Sequence, residues 1–112
     1  MSKLIQNVAF NEQNVAVFPP MRLEHRHKGT SLTALGACLV TFDEDGETAT
    51  VTMEVDEVIY VIEGDLTLTV DGDGKSHVVA GVAGDVLTIK NGANVRYAGT
   101  TQTRLFLSFS PC

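Results

Sequence analysis

The sequence contains no tryptophan, only two cysteines and no long apolar stretch. Cys38 lies within an apolar run and Cys112 ends the chain, so they form neither a disulfide framework nor a zinc-binding pattern. No apolar run approaches the roughly 20 residues that a membrane span needs, and the first residues lack the apolar core of a signal peptide. We therefore expect a cytoplasmic protein in which Cys38 fills part of the core.

Positive charge is scarce as well. Eight lysines and arginines stand against 14 aspartates and glutamates, which gives a formal net charge of -6 and a pI near 4.8. This balance argues against nucleic acid or an anionic membrane surface as a partner, because both are polyanions. The 112 residues, of which 44% are hydrophobic, suffice for one core and leave no room for two. We expect a single compact domain.

Apolar and polar residues alternate with a period of two, which is typical of strands with one buried face. Residues 48–55 alternate Thr or Glu with apolar side chains, and residues 66–70 alternate Leu or Val with Thr. Further strands are predicted over 34–42, 76–80, 86–89, 95–98 and 103–109. About eight short strands at this spacing favour an all-β barrel or jelly roll.

Turns and an irregular start complete the predicted layout. Asp-Gly steps within 43–46 and 71–74 supply the positive φ that tight hairpins require, so both are predicted as hairpin turns. Pro19 and Pro20 interrupt any strand near the N-terminus. We predict that residues 1–20 form an arm that packs on the barrel or on a partner subunit, and that residues 21–112 form the barrel.

Two motifs resemble those of the cupin superfamily. The first cupin motif has two histidines two residues apart, a glutamate four residues later and a glycine seven beyond it. Glu57 and Gly64 fit this pattern, while the histidine positions hold Val51 and Met53. The second motif resembles residues 84–92, although Lys90 takes the usual proline position, and its histidine position holds Val95. The resemblance implies a small, RmlC-like cupin, a double-stranded β-helix, with three of four metal ligands replaced.

The segment Asp56–Leu66 is similar to the ethanolamine utilisation protein Q family and to related short bacterial cupins. Those families also lack the paired histidines and keep the acidic pair before the apolar strand. Members of the first have been linked to acetate kinase activity, and related cupins include enzymes of ureide breakdown. The resemblance therefore implies a small-molecule protein without fixing one reaction.

Glu57 is the central candidate residue. A catalytic metal needs at least three protein ligands, and alternation places Glu57 beside apolar Val51, Met53 and Val55, so we expect no cofactor. Burial would raise the pKa of such a glutamate and suit it to proton transfer or to donating a hydrogen bond. In the alternative interpretation, Glu57 pairs with Arg96 or Arg104 and only stabilises the barrel.

Tyr97 is the second candidate, because it shares a strand face with Val95 and its hydroxyl can reach a ligand or Glu57. Its alternative role is that of a barrel-filling tyrosine bonded to the backbone. Predicted ligand-binding residues are Met53, Val51, Val95 and Tyr97. Tyr60 lies on the opposite face and is expected to pack between sheets or subunits.

The histidines offer a competing metal site. His25 and His27 would point to one face of a strand and, with Glu57, could bind a divalent metal. Their surroundings, residues 22–29, are strongly polar, and such a run favours a solvated loop or edge. His77 follows a predicted turn and is expected to be exposed.

Three hypotheses for function remain open. The protein could be a metal-independent binder of a small polar metabolite. It could instead be a lyase, isomerase, hydrolase or acetate-kinase-like enzyme that uses Glu57 for proton transfer. A structural accessory protein would have a barrel filled by Met53, Leu66, Phe106 and similar residues. The apolar residues of the N-terminal arm also predict a homodimer.

Overall fold

The computed structural model describes residues 4–111, so residues 1–3 and Cys112 lie outside it. Within the described range, a short 3-10 helix, Glu12–Asn14, precedes eleven strands. In chain order these are β1 Val15–Phe18, β2 Met21–His25, β3 Gly36–Phe42, β4 Gly46–Glu47, β5 Val51–Thr52, β6 Asp56–Glu63, β7 Asp65–Gly72, β8 Lys75–Val82, β9 Val86–Ile89, β10 Asn94–Gly99 and β11 Arg104–Ser110. None of the described helices is long or apolar enough to cross a membrane.

The strands form two antiparallel sheets. One has six strands in the order β1-β2-β3-β11-β6-β9, and the other has the order β4-β10-β7-β8, with β5 also paired to β10. The core contains residues of both sheets, including Val40 and Leu105 from the first and Leu66 and Val95 from the second, all 0% exposed. The all-β prediction of a single barrel is therefore confirmed.

Alternation along the strands explains how the core forms. In β3 every second residue from Gly36 to Phe42 is buried, and Cys38 is among them, as predicted. In β6 the buried residues are Glu57, Ile59 and Val61. Glu57 thus occupies an inward position that the strand otherwise fills with apolar side chains.

The predicted strand over residues 48–55 is interrupted. Only Val51–Thr52 forms a strand, and Met53 then exchanges hydrogen bonds with a turn: its N–H donates to the Ala93 carbonyl, and its carbonyl accepts from the Gly92 N–H, both at 2.8 Å. The backbone groups of Met53 are therefore bound to this turn rather than to a neighbouring strand. Burial still alternates, with Met53 buried and Glu54 exposed.

The two predicted turns differ in outcome. Asp73 and Gly74, with φ of 52° and 73°, connect β7 to β8 as a tight hairpin, which confirms that prediction. The hairpin predicted over 43–46 is wrong, because β3 and β4 belong to different sheets. There, the Asp45 carboxylate accepts hydrogen bonds from the Thr101 N–H at 2.7 Å and hydroxyl at 2.9 Å, so the turn is fixed to the loop between β10 and β11.

The N-terminal third contains more strand than the sequence predicted. β1 and β2 pair on either side of Pro19 and Pro20, and β2 lies between β1 and β3. The expectation of a solvated loop or edge over residues 22–29 is wrong for 22–25, which belong to β2 between two strands, whereas residues 26–29 form a loop as expected. Before β1, the Val8 carbonyl accepts a hydrogen bond from the Arg26 guanidinium at 3.1 Å.

Candidate functional site

An open pocket of about 310 Å³, here called the inner cavity, lies next to Glu57 on the inner side of the barrel. Its walls come from β2, β3, β11, the β5 segment and the start of β6. The lining residues are mostly apolar: Leu23, His25, Cys38, Val51, Thr52, Met53, Glu54, Val55, Glu57, Leu107 and Phe109. A pocket with mostly apolar walls and a few polar groups is the usual form of a small-molecule site.

Glu57 and Tyr97 form the main polar contact beside this cavity. The Tyr97 hydroxyl donates a hydrogen bond to Oε2 of Glu57 at 2.5 Å, and the two side chains are 4% and 6% exposed, respectively. Glu57 comes from the six-stranded sheet and Tyr97 from the other, so the bond connects the two sheets. The sequence-based expectation that Tyr97 can reach Glu57 is confirmed.

Burial determines the protonation chemistry of this pair. Desolvation raises the pKa of Glu57 above its ordinary value, and the hydrogen bond from Tyr97 offsets part of that increase. The pKa of Tyr97 is also raised, first by burial and then by the neighbouring Glu57 charge. Tyr97 therefore remains a protonated donor, while Glu57 can hold or release a proton more easily near neutral pH than an exposed glutamate can.

His25 is the other polar side chain of interest in the cavity wall. Its Nδ1 is buried without a hydrogen-bond partner among the described residues. Burial lowers the pKa of His25, and the nearby positive charges of Lys28 and His27 lower it further. His25 is therefore neutral at neutral pH. Sequence reasoning considered this residue only as a metal ligand.

Cys38 lies directly opposite His25 in the pairing of β2 with β3 and also lines the cavity. Burial, together with the Glu57 charge, raises the pKa of Cys38 to about 12. The side chain is therefore a neutral thiol, which contributes apolar surface rather than a nucleophile.

The predicted ligand-binding residues fall into two groups. Val51 and Met53 line the cavity with Glu57, and Val55 does so as well, as alternation predicted. Val95 and Tyr97 share an inward face of β10, also as predicted, but neither is among the lining residues. Val95 is 0% exposed and belongs to the core behind the cavity.

The predicted ion pair of Glu57 with an arginine is wrong. Arg96 alternates with Tyr97 and faces away from the core, where it lies 3.4 Å from Glu47 and 3.6 Å from Asp71. Arg104 pairs in register with Glu63, at the opposite end of β6 from Glu57. Alternation and register thus keep both cations away from the buried carboxylate.

Phe109 is the principal site residue that the sequence analysis did not single out. It lies opposite Glu57 on one side and opposite Gly36 on the other. A Cβ atom at Gly36 would overlap the Phe109 ring, so only glycine leaves room for it. Alternation in β11 could have identified Phe109, because it lies two residues after Leu107 and four after Leu105, and all three face inward.

Two expectations about aromatic residues need correction. Phe106 was named among residues that could fill the barrel, but it is 39% exposed and points outward, because it alternates with Leu105 and Leu107. Tyr60 lies on the face opposite Glu57, as predicted, but it is 44% exposed and does not pack between the sheets, so packing against a partner subunit is the part of that expectation that stays a prediction. His77 is exposed, as expected.

The donor set at the positions of the cupin metal ligands does not fit a metal. Val51, Met53 and Val95 offer no ligand atoms of the kinds that Zn²⁺, Fe²⁺ or Mn²⁺ prefer. Across residues 4–111, no three His, Cys, Asp or Glu side chains lie in an arrangement that could hold a metal ion. His27 does not line the cavity, and its Nδ1 lies 3.2 Å from both the N–H and the carbonyl oxygen of Ala37.

A second cavity of about 380 Å³ lies on the other side of the same sheet. Its lining includes outward-facing Val58, Thr88, Lys90 and Ser108. Glu57 and Phe109 also contribute to it, although their side chains face the core. We assign the candidate site to the inner cavity because the buried Glu57–Tyr97 pair lies on that side.

Two facing antiparallel sheets, with an acidic residue on the inner face of the strand that precedes a glycine turn, define a small single-domain cupin. The family described as ethanolamine utilisation protein EutQ matches residues 27–111, which is most of the chain. The chain belongs to this family. A comparison with curated proteins found no match.

Solved structures agree on the fold. The EutQ protein of Clostridium difficile superposes with a TM-score of 0.70 at 20% identity, covering 93% of this chain and 81% of that one. An RmlC-like cupin from Shewanella frigidimarina NCIMB 400 gives 0.70 at 23% identity, covering 96% and 93%. KdgF from Halomonas sp. gives 0.67 at 18% identity, covering 92% and 94%. At these identities the likeness shows the fold alone.

Proposed function

We propose that this chain is a cytoplasmic cupin that binds a small polar metabolite in the inner cavity without a metal. The observation that carries the proposal is the cavity of about 310 Å³, whose apolar walls include a buried glutamate that is already oriented by Tyr97. Burying an acidic group in apolar surroundings costs free energy unless hydrogen bonds or an opposite charge compensate for its lost hydration. A ligand with complementary polar groups would offset that cost.

Metal independence is supported by the donor set rather than by any missing ion. The three positions where a metal cupin carries histidines hold valine and methionine here, and His25 and His27 do not supply replacements around Glu57. Metal analysis of the purified protein by plasma mass spectrometry tests this point. We expect well below one metal per chain, and stoichiometric iron, zinc, nickel or manganese would refute it.

An enzymatic role for Glu57 is the alternative, and its raised pKa is the observation that favours it. A carboxyl group that titrates closer to neutral pH is a better general acid or base at that pH. Tyr97 would then orient the carboxyl group. The reaction would be of the lyase, isomerase or hydrolase kind, or an acetate-kinase-like transfer. The structural-accessory alternative is less favoured, because such a protein needs no cavity.

A metabolite screen by thermal shift tests the binding proposal. We expect a subset of small polar compounds to raise the melting temperature of the wild-type protein, since a ligand that binds only the folded state stabilises it. Glu57→Leu, which removes both carboxyl oxygens, should lose that response. Glu63→Leu is the matched control, because Glu63 is exposed near the other end of the same strand. Stabilisation retained in Glu57→Leu would place binding elsewhere.

If binding is confirmed, turnover of the bound compound separates binder from enzyme. An enzyme that depends on Glu57 would convert the compound, and Glu57→Gln would lower kcat more than it weakens binding. A binder would return the compound unchanged from both proteins, which product analysis by mass spectrometry detects.

We also propose that the chain forms a homodimer. Residues 1–20 would act as an arm, and in its described part Phe10 and Val17 are 54% and 67% exposed. Apolar side chains of this size are commonly covered by a neighbouring subunit. Light scattering at micromolar concentration should give twice the chain mass of 12.0 kDa. Val17→Glu should shift the protein toward monomer, whereas a wild-type monomer would contradict the proposal.

A further inference from the structure

The inner cavity has an uneven distribution of charge. Among the described residues that line it there is no lysine or arginine, whereas two carboxylates, Glu57 and the exposed Glu54, are present. The two cations that follow β2 are not part of the wall. Arg26 pairs with Glu24 at 3.0 Å, and Lys28 is exposed.

The remaining titratable groups of the wall are neutral. His25 has a lowered pKa because of burial and nearby positive charge, and Cys38 has a pKa raised to about 12. Neither provides a positive charge at neutral pH. An anionic ligand in this cavity would lie beside the carboxylates of Glu57 and Glu54 without gaining a counter-ion, and like charges at short range repel each other.

Glu57 has one oxygen available for a ligand. Oε2 accepts the hydrogen bond from Tyr97, and no described residue donates to Oε1. Because Tyr97 holds the carboxyl group through Oε2 and Glu57 lines the cavity, Oε1 is left as a preoriented acceptor for a donor on a ligand. His25 also lines this cavity, but its Nδ1 is fully buried, so Glu57 is the polar group on which the inference depends.

From this arrangement we infer that the inner cavity takes a compact, non-anionic molecule that donates a hydrogen bond to Glu57, and that it rejects carboxylates and phosphates. The inference rests on the proposed function and specifies its ligand class, and it excludes the acetate-kinase-like alternative for this cavity, because acetate and phosphoryl donors are anions. The donor is a hydroxyl group or an ammonium group on an apolar body. A volume of 310 Å³ corresponds to about ten water molecules, so the body is small.

Three probes of nearly the same shape test the inference: benzyl alcohol, benzylamine and benzoate. They share an aromatic ring and carry a neutral donor, a cationic donor and an anion, respectively. Titrations followed by ¹H–¹⁵N NMR report binding through the amides of residues around the cavity. We expect benzyl alcohol and benzylamine to shift those amides, and benzoate to bind about tenfold to hundredfold more weakly than benzylamine, as loss of a charge-assisted hydrogen bond implies.

The outcomes separate this inference from the proposed function. If benzoate binds in the cavity as tightly as benzylamine, the inferred ligand class is wrong while small-molecule binding remains. If none of the probes shifts the cavity amides, the inferred ligand class is wrong, and the thermal-shift screen decides the proposed function separately. If benzyl alcohol and benzylamine both bind, their relative affinities show whether a hydroxyl or an ammonium donor is preferred.

Glu57→Gln provides the discriminating variant, because glutamine keeps the shape and removes the charge. We expect benzylamine to lose about tenfold in affinity, benzyl alcohol to change by less than about threefold, and the discrimination against benzoate to shrink. Glu63→Gln should leave all three affinities unchanged. An unchanged ratio of benzylamine to benzoate in Glu57→Gln would overturn the role given to the Glu57 carboxylate.

Discussion

Replacing Tyr97 with phenylalanine tests the most specific feature of the site. The change removes the hydroxyl that donates to Glu57 Oε2 at 2.5 Å and leaves the ring in place. Tyr97 is 4% exposed and Glu57 is 6% exposed, so water is poorly placed to replace the lost donor. The ionised form of Glu57 therefore loses more stabilisation than the protonated form, and the pKa of Glu57 rises further in the variant.

The expected magnitude follows from the type of hydrogen bond. A bond to a charged group contributes about 1.5–3 kcal/mol and a neutral one about 0.5–1.5 kcal/mol. Tyr97→Phe should therefore lower the free energy of unfolding by about 1.5–3 kcal/mol when Glu57 is ionised, and by about 1 kcal/mol less when it is protonated. In a domain of this size, 2 kcal/mol corresponds to a decrease of about 8 °C in Tm.

The pH dependence has a definite sign. The pKa of Glu57 is raised in the folded state, so folding favours the protonated acid, and its contribution to stability is lost as pH rises through that pKa. Tyr97→Phe raises this pKa again, so the difference in stability between variant and wild type should grow with pH. Urea unfolding followed by circular dichroism across a pH series measures it.

Tyr60→Phe is the matched control, because Tyr60 is 44% exposed on the outer face of β6. It should change stability by less than about 0.5 kcal/mol at every pH. Carbon-13 NMR of the Glu57 carboxyl group gives its pKa directly in both proteins. A Tyr97→Phe protein with equal loss at low and high pH, or with an unchanged Glu57 pKa, would refute the reasoning.

Three further predictions use other residues of the site. Gly36→Ala should force the Phe109 ring into the inner cavity and lower the free energy of unfolding by about 1–3 kcal/mol. Gly72→Ala is the control, because Gly72 has open space around it, and urea unfolding compares the two variants. Glu57→Gln should stabilise the protein at neutral pH, and this gain should vanish as pH falls toward the ordinary glutamate pKa of 4.5, as thermal melts across pH would show. Cys38 should resist alkylation in the native protein, because its pKa is about 12, and react once the chain is unfolded, as peptide mass mapping can establish.

The architecture was largely readable from alternation, because a period of two links burial directly to sequence position. The prediction for 86–89 matches β9 residue for residue, and most other predicted strands differ from the observed ones by one or two residues. The two strands near the N-terminus were missed. Glu24 of β2 forms an ion pair at 3.0 Å with Arg26, which follows that strand, and a pattern based on hydrophobicity cannot detect such a pair.

The candidate site was only partly predictable. Alternation predicted that Glu57 shares a face with Val51 and Met53, and that Tyr97 shares a face with Val95, because it relates residues within a single segment. It could not place residues of different strands relative to one another. His25 and Phe109 line the inner cavity because of the register of β2, β3 and β11. Long-range pairing sets this register and places Phe109 over Gly36.

The same limit explains the error about the arginines. Arg96 and Arg104 were considered as partners of Glu57 because opposite charges attract, but an ion pair needs the charged atoms within about 4 Å of each other, which side chains on opposite faces of a sheet cannot reach. Arg96 is adjacent to Tyr97 in β10, and this adjacency places it on the other side. The hydrogen-bond partner of Glu57 is therefore the neutral hydroxyl of Tyr97, which stabilises the carboxylate charge less than a cation would.

A neutral partner has a chemical consequence for Glu57. An arginine beside the carboxyl group would favour ionisation and keep it as a carboxylate at neutral pH. Tyr97 instead offsets only part of the increase in the pKa of Glu57 that burial causes. The acid therefore remains able to exchange a proton or to pair with a donor brought by a ligand. The positions of the cupin metal ligands hold Val51, Met53 and Val95, and these apolar side chains belong to the core or pack against it. The apolar surroundings that leave no metal donors at these positions are thus part of the same core in which burial raises the pKa of Glu57.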